Sequence, residues 1–472
     1  MEEQTRTRLP QAFVERMAAS LGAEAEAFFD SYASPRAYGL RRNPLKMERE
    51  DFEAQMPFSL GKVSWAKEGY YYPEAERPGK HAFHEMGLYY IQEPSAMCVV
   101  EVADPKPGEY VLDLCAAPGG KSTQIAGRMA GEGLLVCNEI VPNRAKILSQ
   151  NIERLGVKNA VVLNHSPQEL ELRFASFFDR IIVDAPCSGE GMFHKEEAAL
   201  TEWSPENVKM CAERQKEILA CAVHMLRAGG VLVYSTCTFA PAEDEEMVRW
   251  LLDNYLDLEL QPIDTEAMGI SEGNVPGTGR IWPHKQRGEG HFVARLKKRG
   301  ELLAHRSDDA FVSVSAGQET GRGGKGKKGK RDRAGAENAN VWNCYEEFAA
   351  QTLRCRLTGR RLEFGDQLYL VREEMPDLSG LKVVRPGLHL GTNKKNRFEP
   401  SHALALALKP SEAVQVCETQ EPEKYLRGET LSCDPSLKGW VLVICQGQPM
   451  GWGKADRGIV KNHYPKGLRI NW

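Results

Sequence analysis

Between residues 110 and 250, short apolar runs alternate with longer amphipathic stretches. This alternation constrains the fold more than any other feature. Tyr110–Leu114, Leu134–Cys137, Ala160–Leu163, Arg180–Val183 and Val231–Ser235 are rich in Val, Leu and Ile and too short to be helices. A Gly-rich turn and an apolar helix to Met129 follow the first run. A helix over Pro142–Leu155, stopped by Gly156, follows the second. Ser204 as N-cap with Pro205 behind it starts a helix that reaches Leu226. Pro241 opens another, with Glu243, Asp244, Glu245 and Glu246 placed in its first turn to suit the dipole. Strands alternating with helices predict an α/β fold built on a mostly parallel, doubly wound sheet. Ligands of such sheets lie beyond the carboxyl ends of the strands. Cys115–Lys121, Glu139, Asp184–Cys187 and Thr236-Cys237 all fall at those ends.

The first strand-end turn reads Asp113-Leu-Cys-Ala-Ala-Pro-Gly-Gly-Lys-Ser122. Its small residues let a backbone approach a ligand closely. Glu139, at the end of the second strand, suits a ribose diol, because one carboxylate can accept from both hydroxyls. The spacing matches neither G-x-G-x-x-G nor G-x-x-x-x-G-K-S/T, which argues against a pyrophosphate or a phosphate loop. A nucleoside without phosphates fits better, and S-adenosylmethionine is the expected cofactor. Two thiols lie near the same rim, in Asp184-Ala-Pro-Cys-Ser-Gly-Glu-Gly191 and in Tyr234-Ser-Thr-Cys-Thr-Phe239. Most free cysteines are small buried hydrophobes, which is the reading for Cys98, Cys211 and Cys221. Cys187 and Cys237 stand instead in polar turns, where a helix N-terminus is expected to lower a thiol pKa. A thiol beside a methyl donor has a chemical rationale. Carbon 5 of cytosine attacks a sulfonium methyl only after a thiolate has added to carbon 6. A carboxyl group protonating ring nitrogen 3 would need a raised pKa.

With these residues in view, Asp113–Ser122, Asp184–Gly191 and Ser235–Phe239 together resemble the Sun-family RNA cytosine-5 methyltransferases. Arg280-Ile-Trp-Pro-His284 with Gly288-Glu-Gly-His-Phe292 is similar to the family's closing motif. Arg41–Lys46 and Gln92–Ser95 are similar to its N-terminal elements. The resemblance covers residues 1–298. It implies that Cys237 is the nucleophile and that Cys187 assists product release. It also implies that Asp184 contacts the cytosine edge and that Lys121 reaches the target nucleotide. Cys115, Ala116, Ala117, Pro118, Gly119, Gly120, Lys121, Glu139 and Asp184 would hold S-adenosylmethionine. The family usually carries an Asp after the third strand; here the run is Asn164-His-Ser-Pro167, so Ser166 or a nearby backbone group stands in its place. No metal site is expected.

The flanks complete the expected architecture. Residues 1–95 read as a small α+β module with RNA-binding character: Pro10–Phe29 is helical, and the Tyr70–Tyr72 and Tyr89–Ile91 runs pack as strands. The Rossmann-like methyltransferase core occupies 96–298. A flexible basic linker over 299–340 is centred on GRGGKGKKGK (Gly321–Lys330), which has no apolar periodicity. An intermediate segment spans 341–386. A PUA-like β domain over 387–472 resembles the tail of RsmF-like bacterial enzymes, with Leu442–Cys445 and the alternating Ala403–Leu408 as strands. The net charge of −4 hides an uneven distribution: from Val341 to Trp472 there are 19 Lys/Arg against 15 Asp/Glu. Lys394, Lys395, Arg397, Lys454, Arg457 and Lys461 are the expected phosphate contacts. The chain has no apolar run long enough to span a bilayer and no secretion signal, and its cysteines lack metal spacing. The expectation is a cytoplasmic, monomeric RNA methyltransferase acting on small-subunit (16S) ribosomal RNA. A tRNA methyltransferase and a ribosome-assembly RNA-binding protein are the alternatives.

Overall fold

A computed structural model describes residues 8–303, 342–394 and 397–470. It divides into two compact units, Met1–Leu303 with Gly380–Gly387, and Ala304–Ser379 with Leu388–Trp472. From residue 304 onward the expected linker lies outside the described residues, as does Lys395.

The first unit is built on a ten-stranded sheet. Its strands are β1 (Tyr110–Asp113), β2 (Leu134–Asn138), β3 (Ala160–Leu163), β4 (Phe178–Asp184), β5 (Leu226–Thr236), β6 (Leu258–Leu260), β7 (Ser271–Glu272), β8 (Gly279–Ile281), β9 (His291–Lys298) and β10 (Val383–Arg385). The spatial order is β7-β8-β9-β5-β4-β1-β2-β3-β10, with β6 paired to β9. The run β3-β2-β1-β4-β5 is parallel throughout. Every residue of β2 and β3 is buried. Side chains alternate across a sheet, so both faces are covered, which is why these strands read as unbroken apolar runs. The intervening helices are α1 (Gly120–Met129), α2 (Pro142–Arg154), α3 (Pro167–Glu171), α4 (Pro205–Met225) and α5 (Glu245–Asn254). The order reverses between β1 and β4, so the carboxyl ends of those two strands open a crevice.

One feature of the acidic run differs from expectation. Pro241–Glu243 forms a single tight turn and α5 begins only at Glu245. Glu243, Asp244 and Glu245 are buried and bind partners across the fold instead of facing solvent at a helix end. A count of acidic residues cannot tell a solvated first turn from a buried one.

Upstream, Gly61–Lys62, Gly69–Tyr71, Gly39–Arg42 and Tyr89–Ile91 form an antiparallel sheet in that order. The helices Gln11–Leu21 and Ala25–Ser31 place Phe13, Met17 and Phe28 in one apolar cluster with Phe193, Trp203, Phe239 and Trp282. The first hundred residues therefore share a core with the large sheet. At its far edge, β10 pairs antiparallel with β3. Arg385 of β10 is bound by Glu153 and donates to Ser149 Oγ.

The second unit, described on its own, has an antiparallel sheet over Arg360–Phe364, Gln367–Val371, Leu388–Lys394 and Arg397–Pro400. A five-stranded sheet follows, centred on Gly439–Cys445 and Gln448–Asp456. Ala403–Leu408 was expected to be a strand; His402–Ala407 is a helix. Ser401 caps it by accepting from the Leu404 N–H. Ala and Leu favour helix, and the run has no β-branched residue. The two-residue alternation was that of residue size, since Ala403 through Leu408 are all buried.

Candidate active site

The carboxyl ends of β1, β4 and β5 meet the start of β9 around a cleft of about 240 Å³. The β1–α1 turn supplies Cys115, Ala116, Ala117, Pro118, Gly120 and Lys121, and the facing side carries Asp184, Cys237 and His291. Cys237 is thus open to the cleft that the Gly-rich turn borders. The Cys187 and Cys237 Sγ atoms are 3.4 Å apart, in contact but not bonded. Cys187 departs from the expected lowered thiol pKa: its hydrogen bond with Cys237, together with burial, pushes it well up. It is held as a protonated thiol beside the second sulfur.

A buried clip fixes the two thiol-bearing turns. Ser188 follows Cys187 and Thr238 follows Cys237, and their hydroxyls are 2.9 Å apart. Glu243, fully buried, accepts from the Ser188 N–H at 2.9 Å, from Ser188 Oγ at 2.5 Å and from Gln215 Nε2 at 2.9 Å. Arg280 bridges Asp244 and Glu245, and Asp244 in turn accepts from Thr236 Oγ1, just before Cys237. The acidic run is therefore a scaffold for the thiol pair.

Asp184 is held from three sides. Lys121 Nζ donates to its Oδ2 at 2.6 Å and Ser235 Oγ to its Oδ1 at 2.8 Å, while His291 Nε2 lies 3.4 Å from Oδ1. Burial alone would push this carboxyl up, but Lys121 and His291 hold it well below the carboxylate range. The same pair keeps Lys121 above its ordinary value in spite of burial. The ion pair makes Asp184 an acceptor and Lys121 the donor, so the raised carboxyl pKa that protonation of ring nitrogen 3 would need is not found at Asp184.

On the cofactor side, the turn is held from below. The Ala116 N–H donates to Asn138 O, Arg144 to Ala117 O and Asn151 to Pro118 O. At Gly119, φ is +114°, and a Cβ at Gly120 would come 3.2 Å from Gln92 Nε2. Both positions favour glycine. Burial pushes the Cys115 thiol up, so it is an inert wall. The Glu139 carboxylate is buried, accepts from the Val141 N–H at 2.8 Å and lies 3.3 Å from Arg144. Asn164 donates to the Glu139 and Ile140 carbonyls and so secures the loop that carries it. Gly119, Glu139 and Ser166 do not join the cleft lining. Ser166 has another role. It is the N-cap of α3, in a reciprocal capping box with Glu169. The donor set suits S-adenosylmethionine: a close-approach backbone and carboxylates for a ribose and a cation, with no cradle for phosphate.

Several cleft residues were given no role by the sequence. Tyr90, read as strand packing, lines the cleft, with Arg41 5.7 Å and Arg154 5.8 Å from its ring centre. Arg41 is buried and donates to Gln92 Oε1, Gly120 O and Thr123 Oγ1. Glu93 accepts from the Ala96 and Glu289 N–H groups. The signal for Arg41 and Glu93 was the matched strings Arg41–Lys46 and Gln92–Ser95. Their chemistry emerged only once the strands were paired.

In the second unit, Arg397, Lys454 and Lys461 all act on His463, whose pKa burial and these cations lower. Lys454 and Lys461 are directly opposed in register. Lys454 also lies 5.9 Å from the centre of the Trp440 ring, which is 4.6 Å from His463. Arg457 sits exposed in the neighbouring turn with φ +50°. Lys394 is 3.3 Å from Asp366 and Arg397 2.8 Å from Glu399.

Four family models match the chain. They are described as 16S rRNA methyltransferase RsmB/F (residues 100–297), N-terminal domain of 16S rRNA methyltransferase RsmF (9–94), RsmF rRNA methyltransferase first C-terminal domain (347–408) and methyltransferase RsmF PUA domain (417–470). A protein of Erwinia tasmaniensis named ribosomal RNA small subunit methyltransferase F is 32% identical, over 99% of this chain and 98% of that one. One of the same name from Salmonella agona is 33% identical, over 97% and 96%. Among solved structures, a methyltransferase homolog protein from Pyrococcus horikoshii is similar, with 32% identity, a TM-score of 0.54, and coverage of 61% of this chain and 95% of that one. NSun6 from the same organism, solved with SFG, shares the fold at 22% identity and a TM-score of 0.55, over 62% and 99%.

Proposed function

The chain belongs to the RsmB/F family of 16S rRNA methyltransferases, and on that premise we propose that it methylates carbon 5 of a cytosine in 16S ribosomal RNA. The observation that carries the reading is the thiol pair, 3.4 Å apart, with Cys237 open to the cleft bordered by the Gly-rich turn. S-adenosylmethionine, held by Cys115–Lys121 and Glu139, supplies an electrophilic methyl group. Cys237 Sγ adds to carbon 6 of the ring, which places a pair of electrons at carbon 5. The ionised Asp184 accepts from the exocyclic amine, and the Lys121 ammonium is the donor beside the ring. After transfer, a water in the cleft takes the carbon-5 proton, the C5–C6 double bond re-forms and the Cys237 sulfur leaves as a thiolate. Cys187, held protonated, is suited to donate to that departing sulfur. The base reaches Cys237 by leaving any helix it belongs to.

Lys394, Arg397, Lys454, Arg457 and Lys461 are proposed to bind RNA phosphates, with Lys395 alongside by sequence. Two lysines opposed across a strand pair repel each other unless an anion lies between them. No helix among the described residues is long and apolar enough to cross a membrane. The reading places the enzyme in the cytoplasm with its RNA, acting as a monomer.

The test uses radiolabelled 16S rRNA and S-adenosylmethionine. Cys237→Ala is expected to abolish methylation. Cys187→Ala is expected to leave an RNA–protein adduct that survives a denaturing gel, and Cys187→Ala with Cys237→Ala to leave none. If the single Cys187 variant forms no adduct, the covalent reading is wrong.

A further inference from the structure

A second cavity, of about 290 Å³, opens beside the cleft, walled by Ser31, Tyr32 and Ser34–Ala37, by Pro283–Glu289 and by His194. Glu289 lines both spaces, so one short segment separates them. The size falls at the lower end for pockets that take one small ligand.

Its wall carries unsatisfied polar atoms. Tyr32 Oη, Arg36 Nε and His284 Nδ1 are buried atoms without a hydrogen-bond partner. Three such atoms on one cavity are unusual, because buried polar groups are nearly always satisfied. The Arg36 Nε lies 3.8 Å from Glu289 Oε1, too far for a hydrogen bond. Arg287 is exposed, and its guanidinium lies 4.6 Å from the centre of the Tyr71 ring with no carboxylate in salt-bridge reach among the described residues. Two carboxylates temper the charge: Glu289, which His194 faces at 3.1 Å, and Glu24, which Lys285 meets at 2.7 Å. Arg36 shares Glu289 with His194, and Arg287 remains available to an anion.

We propose that this cavity receives the nucleotide next to the target cytidine, with its phosphate between Arg36 and Arg287. The inference rests on the RNA reading above. A base extruded into the cleft leaves its neighbouring phosphates at the mouth, where the shared wall stands. The Arg36 and Arg287 guanidinium groups then donate to the phosphate oxygens. The pocket holds the strand in place on one side of the flipped base. It positions RNA and takes no part in bond making.

The experiment uses the full chain with saturating S-adenosylmethionine and a 16S rRNA transcript. Arg287→Gln, at an exposed position with little risk to folding, and Arg36→Gln are compared with the parent. Each is expected to raise the KM for RNA about tenfold and to lessen the slope of log affinity against log salt by about 0.7–0.9. The Kd for S-adenosylmethionine, measured without RNA, is expected to stay within twofold. An unchanged salt slope and KM in both variants, with the parent methylating normally, overturns the pocket assignment alone. A parent chain that neither binds nor methylates the transcript overturns the RNA reading itself.

Discussion

At the residue scale the site is governed by which carboxyl groups keep their charge. Asp184 does, because Lys121 and His291 offset its burial. Lys121→Met removes the nearest cation, so the Asp184 pKa rises. Activity is expected to fall about 10²-fold, and the acid limb of the pH–rate profile to move upward. A profile with its acid limb unmoved would show that Asp184 does not titrate in the reaction. Asp113 lies one layer deeper and behaves oppositely. Its Oδ2 accepts from Ser122 at 2.6 Å, its Oδ1 has no partner, and burial pushes it up to about 7. The native state then retains a proton that the unfolded chain releases near pH 4. Stability from this group is full below that pH and is lost as pH rises through about 7. Asp113→Asn is expected to flatten that decline and to raise stability at pH 8 by about 1–3 kcal/mol. Urea midpoints measured from pH 4 to 8 decide it; parallel curves for variant and parent would refute the assignment.

At the scale of elements, Ser166 separates capping from ligand binding. Its hydroxyl closes a capping box on α3 and does not line the cleft. Ser166→Ala is expected to cost about 1 kcal/mol and to change the Kd for S-adenosylmethionine less than twofold, as titration calorimetry would show. A tenfold weaker Kd would restore it to the cofactor site. Cases like this mark what the sequence could and could not disclose. Strands buried on both faces announce themselves as apolar runs, and α4 announces its start through Ser204, which accepts from the Asn207 N–H at 3.1 Å. The thiols and the turn were legible because strand ends converge by topology alone. The long-range ties were not. Arg41 to Gly120 spans 79 residues, Ser188 to Glu243 spans 55 and Glu93 to Glu289 spans 196. Each depends on register and packing that no local pattern encodes. Burial misled in the same way, making the acidic run a buried scaffold and the Ala/Leu alternation a helix.

At the scale of the whole molecule, chain order and compact unit do not coincide. β10 lies between two parts of the second unit in sequence, yet pairs with β3 of the large sheet. A chain ending at 303 would leave the β3 edge open, with its N–H and C=O groups ready to pair with another copy. A chain ending at 409 keeps β10 but meets a different problem. Leu368, Leu390, Phe398 and Leu404 share one core with Leu442, Ile444 and Trp452, which that truncation removes. Each of the three deleted side chains contributes about 1.5–3 kcal/mol of apolar burial. Trp452 also donates from Nε1 to Ser401 O, just ahead of the capped helix. The 347–408 and 417–470 regions therefore stabilise each other, although separate family models describe them. Truncation at 409 is expected to speed proteolysis within 342–379 and 388–409 about tenfold or more while the first unit, β10 included, resists as in the full chain. Truncation at 303 is expected to leave 342–409 out of the question and instead to promote association, seen as concentration-dependent light scattering. Equal protease resistance of 342–379 and 388–409 with and without residues 410–472 would show that their apolar core stands alone.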